Sequence, residues 1–317
     1  MTAAPLNIMV LAGGISHERE VSLRSGRRVA DALIAAGHNV SIVDPDARLF
    51  DHIVSARPDL VWPAVHGSSG EDGALLDLLA AADVPFVGPS ASAARLTWSK
   101  PISKTLVERA GIATARSITL PREAFRELGA STVLEVVVSA LGSDLVVKPA
   151  QGGSAQGVTI VESAEQLPRA MVDAYTYAEV ALIEQRVRGV EVAVTIIDDE
   201  NGPRALPAVE IVPTEGVYSF EARYNAGETT FFAPARLSDA SAAAVAEAAV
   251  IAHETLGLAH ISRIDFIVDE NAQPVFLEAN ALPGLTETSS APLAIDAAGL
   301  DVAVLFDHLA RRAVARA

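Results

Sequence analysis

The sequence feature that most limits the possible folds is an alternation in the first part of the chain, to about residue 95. Short apolar runs alternate there with segments of helical periodicity. The run Asn7–Leu11 is typical of a strand and precedes a glycine turn. Val29, Leu33 and Ala36 then recur at helical spacing, and Gly37 closes the segment. This alternation predicts a small parallel α/β domain. Its other segments are strands at residues 40–43, 60–65 and 85–87 and a helix with Leu75, Leu78 and Leu79 on one side.

A glycine turn after a first strand also occurs in dinucleotide-binding folds. Here the turn reads Gly13-Gly14-Ile15-Ser16 and does not match G-x-G-x-x-G. No acid ends the second strand in a clear ribose-binding context except Asp44. These departures disfavour a dehydrogenase.

Composition excludes several other classes of protein. The chain has 317 residues, half of them hydrophobic, so we expect two or three packed domains. The net charge of -16 comes without a basic run, which disfavours a nucleic-acid partner. Because there is no cysteine, a metal would need oxygen or nitrogen ligands, and Mg²⁺ fits best.

The N-terminus and the apolar runs bear on location. Residues 1–10 have neither the basic start nor the continuous apolar core of a signal peptide. No apolar run approaches the roughly 18 residues needed to span a membrane. We therefore expect a cytoplasmic protein with no membrane partner.

The rest of the chain predicts antiparallel strands. A helix is expected at residues 97–110, with Pro101 in its first turn, and a helix-rich stretch continues to about residue 140. Strands at residues 144–148 and 158–161 flank a short glycine loop, which predicts a hairpin. Further strands are expected at residues 181–185, 190–197, 261–268 and 274–277, and helices at residues 239–256 and from about 296 to the end.

The glycine loop Gln151-Gly152-Gly153-Ser154-Ala155-Gln156-Gly157 could offer backbone N–H groups to anionic oxygens. Gly152 and Gly157 have the spacing of a P-loop, but Val158-Thr159 stands where Lys-Ser/Thr is required. We expect a phosphate-binding hairpin loop of another kind. An ordinary hairpin tip is the alternative.

Two consecutive strands near the C-terminus carry the strongest group of polar residues. Because side chains alternate along a strand, Arg263 and Asp265 share one face, and Glu278 and Asn280 share another. An antiparallel pair would bring these faces together, as two Mg²⁺ ions and a transferring phosphoryl group require. A solvated face with cross-strand ion pairs is the alternative.

Several strings along the chain form an ordered set: Gly13-Gly14-Ile15-Ser16-His17-Glu18-Arg19-Glu20-Val21-Ser22, His66-Gly67, Gly70-Glu71-Asp72-Gly73, Lys148-Pro149, Arg263-Ile264-Asp265 and Glu278-Ala279-Asn280-Ala281-Leu282-Pro283-Gly284. In this order they resemble the D-alanine-D-alanine ligase family of the ATP-grasp superfamily, over essentially the whole chain. The resemblance implies an N-terminal parallel α/β domain followed by a two-subdomain ATP-grasp fold. Its parts would be residues 1–96, which bind substrate, residues 97–186, with the glycine-rich hairpin, and residues 187–317, with the metal site and a lid loop.

The resemblance also implies the reaction. ATP would convert one D-alanine to an acyl phosphate, and a second D-alanine would attack it to give D-alanyl-D-alanine for peptidoglycan. The cofactors would be ATP and two Mg²⁺ ions, with Mn²⁺ as an alternative, and the protein would be a homodimer.

Site residues follow from the resemblance position by position. Lys100, Lys148 and Arg223 would contact the ATP phosphates, together with Gly153 and Ser154 of the loop. Asp265, Glu278 and Asn280 would bind the metal. The adenosine would meet Leu182, Ile183, Glu184, Gln185 and Glu191. Glu18 would bind the ammonium of the first D-alanine, with Ser154 and Tyr224 in a hydrogen-bonded network above it. Arg263 and the Gly284 N–H would stabilise the tetrahedral oxyanion, and Ser289 would bind the carboxylate of the second D-alanine.

Departures from the family pattern keep other substrates open. Gly152-Gly153-Ser154-Ala155 replaces Glu-Gly-Ser-Ser, Gln185 and Arg223 replace lysines, and Trp98-Ser99 replaces Met-Asp. A divergent ligase for another amino acid or a D-hydroxy acid is one alternative. Tyr224, in a segment that we interpret as a lid, disfavours D-lactate. A non-catalytic nucleotide-binding protein is the other alternative, and the retained metal ligands argue against it.

Overall fold

The structure is a computed structural model that describes residues 4–214 and 227–316. Within these ranges, no helix combines the length and apolar character needed to cross a membrane. The helices are α1 (Arg19–Ala35), α2 (Leu49–Ala56), α3 (Ala74–Ala81), α4 (Ala91–Trp98), α5 (Lys100–Arg109), α6 (Arg122–Glu127), α7 (Ala130–Leu141), α8 (Leu167–Tyr175), α9 (Asp239–Thr255), α10 (Ser290–Ala297) and α11 (Val302–Arg316). The strands are β1 (Asn7–Leu11), β2 (Asn39–Val43), β3 (Leu60–Pro63), β4 (Ala113–Thr114), β5 (Ser117–Pro121), β6 (Leu145–Pro149), β7 (Thr159–Val161), β8 (Val180–Gln185), β9 (Gly189–Asp199), β10 (Gly202–Ala205), β11 (Val209–Pro213), β12 (Thr229–Phe232), β13 (Ile261–Asp269) and β14 (Pro274–Asn280).

The N-terminal segment forms a parallel sheet of three strands in the order β2-β1-β3. The parallel α/β domain predicted from the alternating pattern is therefore confirmed. Two details were wrong. The strand expected at residues 85–87 is only a single bridge between Val61 and Phe86. Leu78 is exposed rather than on the apolar side of α3, where Leu76 is buried instead.

A sheet of four strands, in the order β5-β8-β6-β7, carries the glycine-rich loop between β6 and β7. β6 and β7 are antiparallel, so the predicted hairpin is confirmed. Residues 113–121 were expected in a helix-rich stretch but form β4 and β5. Alternating Ile118 and Leu120 explain this, since both turn toward the core of this sheet.

The largest sheet has the order β12-β11-β9-β13-β14-β4, with β10 also paired to β9. β13 pairs antiparallel with β9 along its whole length and with β14 on its other side. The register sets Arg263 opposite Asn280 and Asp265 opposite Glu278. The predicted antiparallel pair is confirmed, and its polar side chains meet across the two strands.

Helix boundaries account for the remaining differences. The helix expected from residue 97 begins at Lys100, because Ser99 is extended, and Pro101 lies in its first turn as predicted. The final helix divides into α10 and α11 at Gly299, whose φ is 64°. Helix α5 and β4 pack against β14 of the largest sheet. The division at residues 96 and 186 stays a prediction.

One apolar core joins the N-terminal sheet to the C-terminal elements. Side chains of β1, β3 and α1 pack there with side chains of β9, β13, α10 and α11. The rings of Trp62 and Phe306 lie 4.8 Å apart between centroids. His38 Nε2 also lies 2.8 Å from Asp307 Oδ1, which ties α11 to the turn after α1. This shared core fixes α1 relative to the largest sheet.

Gly26 permits α1 to lie close to the end of β1, and its replacement tests this contact. A Cβ atom at position 26 would lie 2.3 Å from the Cβ of Ala12. We expect Gly26→Ala to lower the free energy of unfolding by at least about 1 kcal/mol, although alanine favours helices. Urea denaturation would measure the change. Asp31→Ala, on the exposed face of α1, is the control and should change stability by less than about 0.5 kcal/mol. A more stable Gly26→Ala protein would contradict the close contact.

Candidate active site

A cavity of about 390 Å³ lies between the four-stranded sheet and the largest sheet. Val146 and Ile160 supply apolar wall from the first sheet, and Ile267 and Leu277 supply it from the second. Charged side chains, among them those of Lys148 and Glu184, form the polar part of its lining. An apolar slot with a few fixed charges fits a planar ring that carries an anionic tail. The predicted residues that line it are Lys100, Lys148, Gly153, Glu184, Gln185, Glu191, Asp265 and Glu278.

The glycine-rich loop forms one wall of this cavity. Gly152, Ser154, Ala155 and Gly157 have φ angles of 127°, 53°, 56° and 69°. The left-handed conformation is uncommon for serine and alanine, and such local strain concentrates at functional sites. Lys100 Nζ donates to the Gly152 carbonyl oxygen at 2.6 Å, which ties the loop to α5. The loop can therefore present backbone N–H groups and a lysine ammonium to an anion.

Glu184 lies between two lysines. It is buried, and its two carboxylate oxygens contact the ammonium groups of Lys104 and Lys148. Burial acts to raise the pKa of Glu184, but attraction to Lys148 and Lys104 outweighs it, and the pKa lies below its ordinary value. Burial also acts to lower the pKa of Lys148, but Glu184 and Glu278 hold that pKa above its ordinary value. The cavity therefore contains a charged carboxylate and a charged ammonium.

Lys104 is a residue of this group that sequence reasoning missed. Burial lowers the pKa of Lys104 more than Glu184 raises it. The signal in the sequence was a lysine four residues after Lys100, on the same face of α5.

The predicted metal ligands meet at the β13–β14 pair. Arg263 forms two hydrogen bonds of 2.8 Å with Asp265, and Lys100 Nζ lies 3.0 Å from Glu278 Oε2. Asn280 Oδ1 accepts a hydrogen bond from the Leu282 N–H at 3.1 Å. Two carboxylates and an amide oxygen are hard donors that fit Mg²⁺. The described residues contain no group of three or more acidic or histidine side chains that could hold a metal. A metal held by Asp265 and Glu278 would therefore need a further donor, and the amide oxygen of Asn280 is the predicted one.

A smaller polar cavity of about 50 Å³ lies beyond these ligands. Glu18, at the start of α1, accepts a hydrogen bond from the Ser154 hydroxyl. The Glu18 carboxylate is buried and lies against Gly67 and Gly153, where any Cβ atom would lie within 3.1 Å of it. Glu18 makes no capping hydrogen bond through its side chain, so its side chain serves the cavity rather than the helix end.

Glu71 lines the same cavity, and sequence reasoning did not assign it a role. Burial raises the pKa of Glu71, and Glu18 raises it further. His66 Nδ1 lies 3.5 Å from Glu71 Oε1 and opposes this shift. Arg263 also faces the cavity. The cavity thus combines two buried carboxylates with a guanidinium, which suits a small zwitterionic ligand.

The turn after β14 closes the far side of the small cavity. Gly284 and Ser289 line it, and a Cβ atom at Gly284 would lie 3.0 Å from Ser289 Oγ. Ser289 Oγ accepts a hydrogen bond from the Thr286 N–H at 3.2 Å. Helix α10 begins at Ser290, so its N-terminus faces the cavity, which favours a carboxylate.

The two cavities are connected through shared walls. A third, smaller cavity is lined by Lys100, Gly153 and Glu278 of the large cavity and by Ser154 and Arg263 of the small one. The predicted metal ligands therefore lie between the large, partly apolar cavity and the small polar cavity.

Some predicted residues are placed elsewhere. Leu182 and Ile183 are fully buried in β8 between β5 and β6 and are not among the residues that line the cavity, so their place along the purine slot stays a prediction. Tyr224 and Arg223 fall outside the described residues and stay predictions. Val187, after β8, lines the cavity although sequence reasoning gave it no role.

Comparison with known proteins agrees with this geometry. A family model described as D-ala D-ala ligase C-terminus matches residues 106–311. The D-alanine–D-alanine ligase of Anaeromyxobacter dehalogenans strain 2CP-C is 38% identical over 302 residues, 95% of each chain. That of Gloeobacter violaceus is 39% identical over 315 residues, 98% of this chain and 99% of the relative.

The chain belongs to the D-alanine–D-alanine ligase family.

Solved structures of this family share the fold. The D-alanine-D-alanine ligase from Coxiella burnetii is 25% identical, with a TM-score of 0.83 over 99% of this chain and 95% of that one. The ATP complex of the Bacillus anthracis D-alanine–D-alanine ligase, also 25% identical, has a TM-score of 0.78 over 98% and 97%. A D-Ala:D-Ser ligase from Enterococcus faecalis, at 25% identity, has a TM-score of 0.80 over 96% and 98%. The predicted ATP-grasp fold is confirmed.

The dinucleotide-binding alternative is not supported. Asp44 accepts a hydrogen bond from the Gly14 N–H at 2.9 Å and pairs with Arg19. The hydrogen bond from Arg19 lowers the pKa of Asp44. In this member of the ligase family, Asp44 therefore holds both ends of the loop that contains Glu18, through Gly14 and Arg19.

Ser25 of α1 anchors the turn that contains Gly284, and its removal tests this contact. Ser25 Oγ is buried, accepts a hydrogen bond from the Leu285 N–H at 3.0 Å and lies 2.9 Å from His66 Nε2. We expect Ser25→Ala to lower the free energy of unfolding by about 1–3 kcal/mol, because it leaves a buried N–H without its acceptor. Urea denaturation would measure this. Ser55→Ala, an exposed serine of α2, is the control. Equal stability of the two variants would contradict the anchoring role.

Proposed function

We propose that this chain is an ATP-dependent carboxylate-amine ligase that joins two D-alanines to give D-alanyl-D-alanine, ADP and phosphate. The observation that carries the proposal is the spatial order of three features: the large cavity with its apolar slot, the predicted metal ligands beside it, and the small polar cavity beyond them. Relatives at 35–39% identity over nearly the whole chain carry this activity in their names. The family resemblance implies a role in peptidoglycan synthesis, and we propose that role here.

ATP would lie in the large cavity with its base between the two sheets. Glu184 would accept a hydrogen bond from the adenine amino group, and Glu191 would bind the ribose. Lys100, Lys148 and the N–H groups of the glycine-rich loop would bind the phosphates. In this arrangement the γ-phosphate would lie beside Asp265 and Glu278. These two carboxylates and Asn280 would hold Mg²⁺, which neutralises charge on the transferring phosphoryl group.

The first D-alanine would lie in the small cavity with its ammonium at Glu18. Its carboxylate would attack the γ-phosphate of ATP, forming a C–O–P linkage and releasing ADP. Ser154 supports this orientation because its hydroxyl already donates to Glu18. The product of this step is an acyl phosphate, which water would hydrolyse unless the cavity excluded it.

The second D-alanine would attack the acyl phosphate through its amine. Its carboxylate would bind near Ser289 and the N-terminus of α10, which favours an anion. The attack forms a C–N bond, and the tetrahedral oxyanion would be stabilised by Arg263 and the Gly284 N–H. Phosphate then leaves and the amine loses a proton. Tyr224 and Arg223 would complete the site from the lid segment.

The oligomeric state, the location and the second substrate are further parts of this proposal. We propose a homodimer, as the family resemblance implies. We propose a cytoplasmic location because ATP is the substrate that drives the reaction. D-Serine is the alternative second substrate, since a D-Ala:D-Ser ligase shares the fold.

Measurement of phosphate and dipeptide with ATP, Mg²⁺ and single or paired amino acids tests the proposal. We expect D-alanine alone to give equal amounts of phosphate and dipeptide. Phosphate release without any dipeptide, for every amino acid and pair tried, would reject the ligase function.

Glu278→Gln tests the predicted metal ligands. We expect phosphate release to fall at least about a hundredfold, because loss of a ligating charge weakens phosphoryl transfer by several kcal/mol. Glu270→Gln, at an exposed position of the turn between β13 and β14, is the control and should keep full activity. Unchanged turnover of Glu278→Gln at saturating Mg²⁺ would contradict the assignment.

Glu18→Gln tests the binding of the first ammonium group. Loss of a charge-assisted hydrogen bond costs about 1.5–3 kcal/mol, so we expect the KM of the tighter D-alanine site to rise about ten- to a hundredfold. The KM of ATP should change little. Glu20→Gln, exposed two residues further along α1, is the control. An equal rise in both KM values would indicate a general loss of structure instead.

A further inference from the structure

The chain contains three lysines and 21 arginines, and all three lysines meet at the nucleotide cavity. Lys100 and Lys148 line the cavity, whereas Lys104 lies behind its wall. The side chain of Lys104 is 5% exposed. Lysine ammonium is compact and has three donors, while the guanidinium of arginine is planar and larger. The buried space at position 104 therefore suits the compact ammonium of lysine better than a guanidinium, and this ammonium lies outside the space that a ligand would fill.

All three donors of Lys104 are used. Its ammonium donates to the Ala115 carbonyl oxygen at 2.9 Å, to Ser117 Oγ at 3.1 Å and to Glu184 Oε1. Ser117 and Glu184 are register partners in β5 and β8. Lys104 thus links α5, which packs on the largest sheet, to the edge of the four-stranded sheet. A fully bonded ammonium at this place cannot move to a phosphate.

Lys148 holds the other oxygen of the same carboxylate, and it differs from Lys104 in access. Lys148 lines the cavity, and its contact is with Glu184 Oε2. In the proposed function Lys148 binds a phosphate, so its ammonium would leave Oε2 as an acceptor for a ligand, while Lys104 would keep Oε1 in place. One lysine would then fix Glu184, and the other would give way to the ligand.

We propose that Lys104 is a positioning residue that determines base specificity by holding Glu184 as a charged acceptor for the exocyclic amino group of adenine. This rests on the proposed function, in which Glu184 reads the base. A carboxylate only accepts hydrogen bonds, so it binds the 6-amino group of adenine and repels a 6-oxo group. A protonated Glu184 could donate to a 6-oxo group instead. Without the Lys104 charge, the buried carboxyl would become neutral more readily, and discrimination would fall.

ATP and ITP form a matched pair for the test, because their bases differ at position 6, amino in one and oxo in the other, with the accompanying N1 proton. We would measure kcat/KM for each nucleotide at saturating D-alanine, for the wild type and for Lys104→Met. We expect the wild type to prefer ATP, and we expect Lys104→Met to reduce the ATP/ITP ratio at least about tenfold, mainly through KM. Lys104→Arg keeps the charge but not the compact shape, so its ATP/ITP ratio should lie between those of the wild type and Lys104→Met.

The result that would overturn the proposal is an equal loss for both nucleotides with an unchanged ratio, since a merely structural lysine would weaken both alike. A wild type that makes dipeptide equally well with ATP and ITP would also overturn it. A wild type that makes no dipeptide with either nucleotide would instead reject the proposed function.

Ser117→Ala keeps the test decisive if Lys104→Met does not fold. Ser117 is exposed, and its removal deletes one of the three acceptors of Lys104 while leaving every charge in place. We expect the ATP/ITP ratio to fall about threefold. An unchanged ratio in this variant would overturn the proposal. Thr119→Ala, exposed two residues along β5, is the matched control and should keep the wild-type ratio.

Discussion

The register of β13 against its two neighbours is the constraint on which the site depends. β9 pairs with β13 along its full length, and β14 pairs on the other side with Asp265 opposite Glu278. A slip of one residue would turn every side chain of β13 to the opposite face and bury Asp265 among the phenylalanines of the core. The apolar face, with Ile264 and Phe266 fully buried, therefore fixes the register that aligns the polar face.

Charge pairing explains how so many ionised groups are tolerated in one buried region. Two carboxylates that line the large cavity pair with cations from other elements, Glu278 with Lys100 and Glu184 with both Lys104 and Lys148. A third, Asp265, pairs with Arg263 of its own strand. An unpaired buried charge would cost several kcal/mol, and removal of one partner exposes that cost. Such pairs confer geometry more than stability. The small cavity differs, because Glu18 and Glu71 are both acidic there, and Glu71 responds with a raised pKa.

Sequence patterns predicted the parts of the fold that depend on local periodicity. The parallel domain, the glycine-rich hairpin and the β13–β14 pair follow from runs of alternating or helical spacing. β5 and the division of the last helix were missed, because short elements with weak patterns are decided by tertiary contacts. Motifs indicated the site residues that bear chemistry. They did not indicate Lys104, and they gave no role to Glu71, because the contact of Lys104 with Glu184 and the effect of Glu18 on Glu71 join residues far apart in sequence. They also did not indicate that Leu182 and Ile183 are fully buried in β8.

The concentration of lysine at the large cavity has a consequence for the outer surface of the protein. All three lysine side chains are at most 10% exposed. The cationic side chains that the folded protein exposes to solvent are therefore those of arginine and not the primary ε-amines of lysine. Reagents that acylate amines would then find few targets outside the α-amino group. Slow acylation of Lys100 or Lys148 would report directly on access to the cavity, and coupling through amines to a solid support would attach the folded protein mainly through that α-amino group.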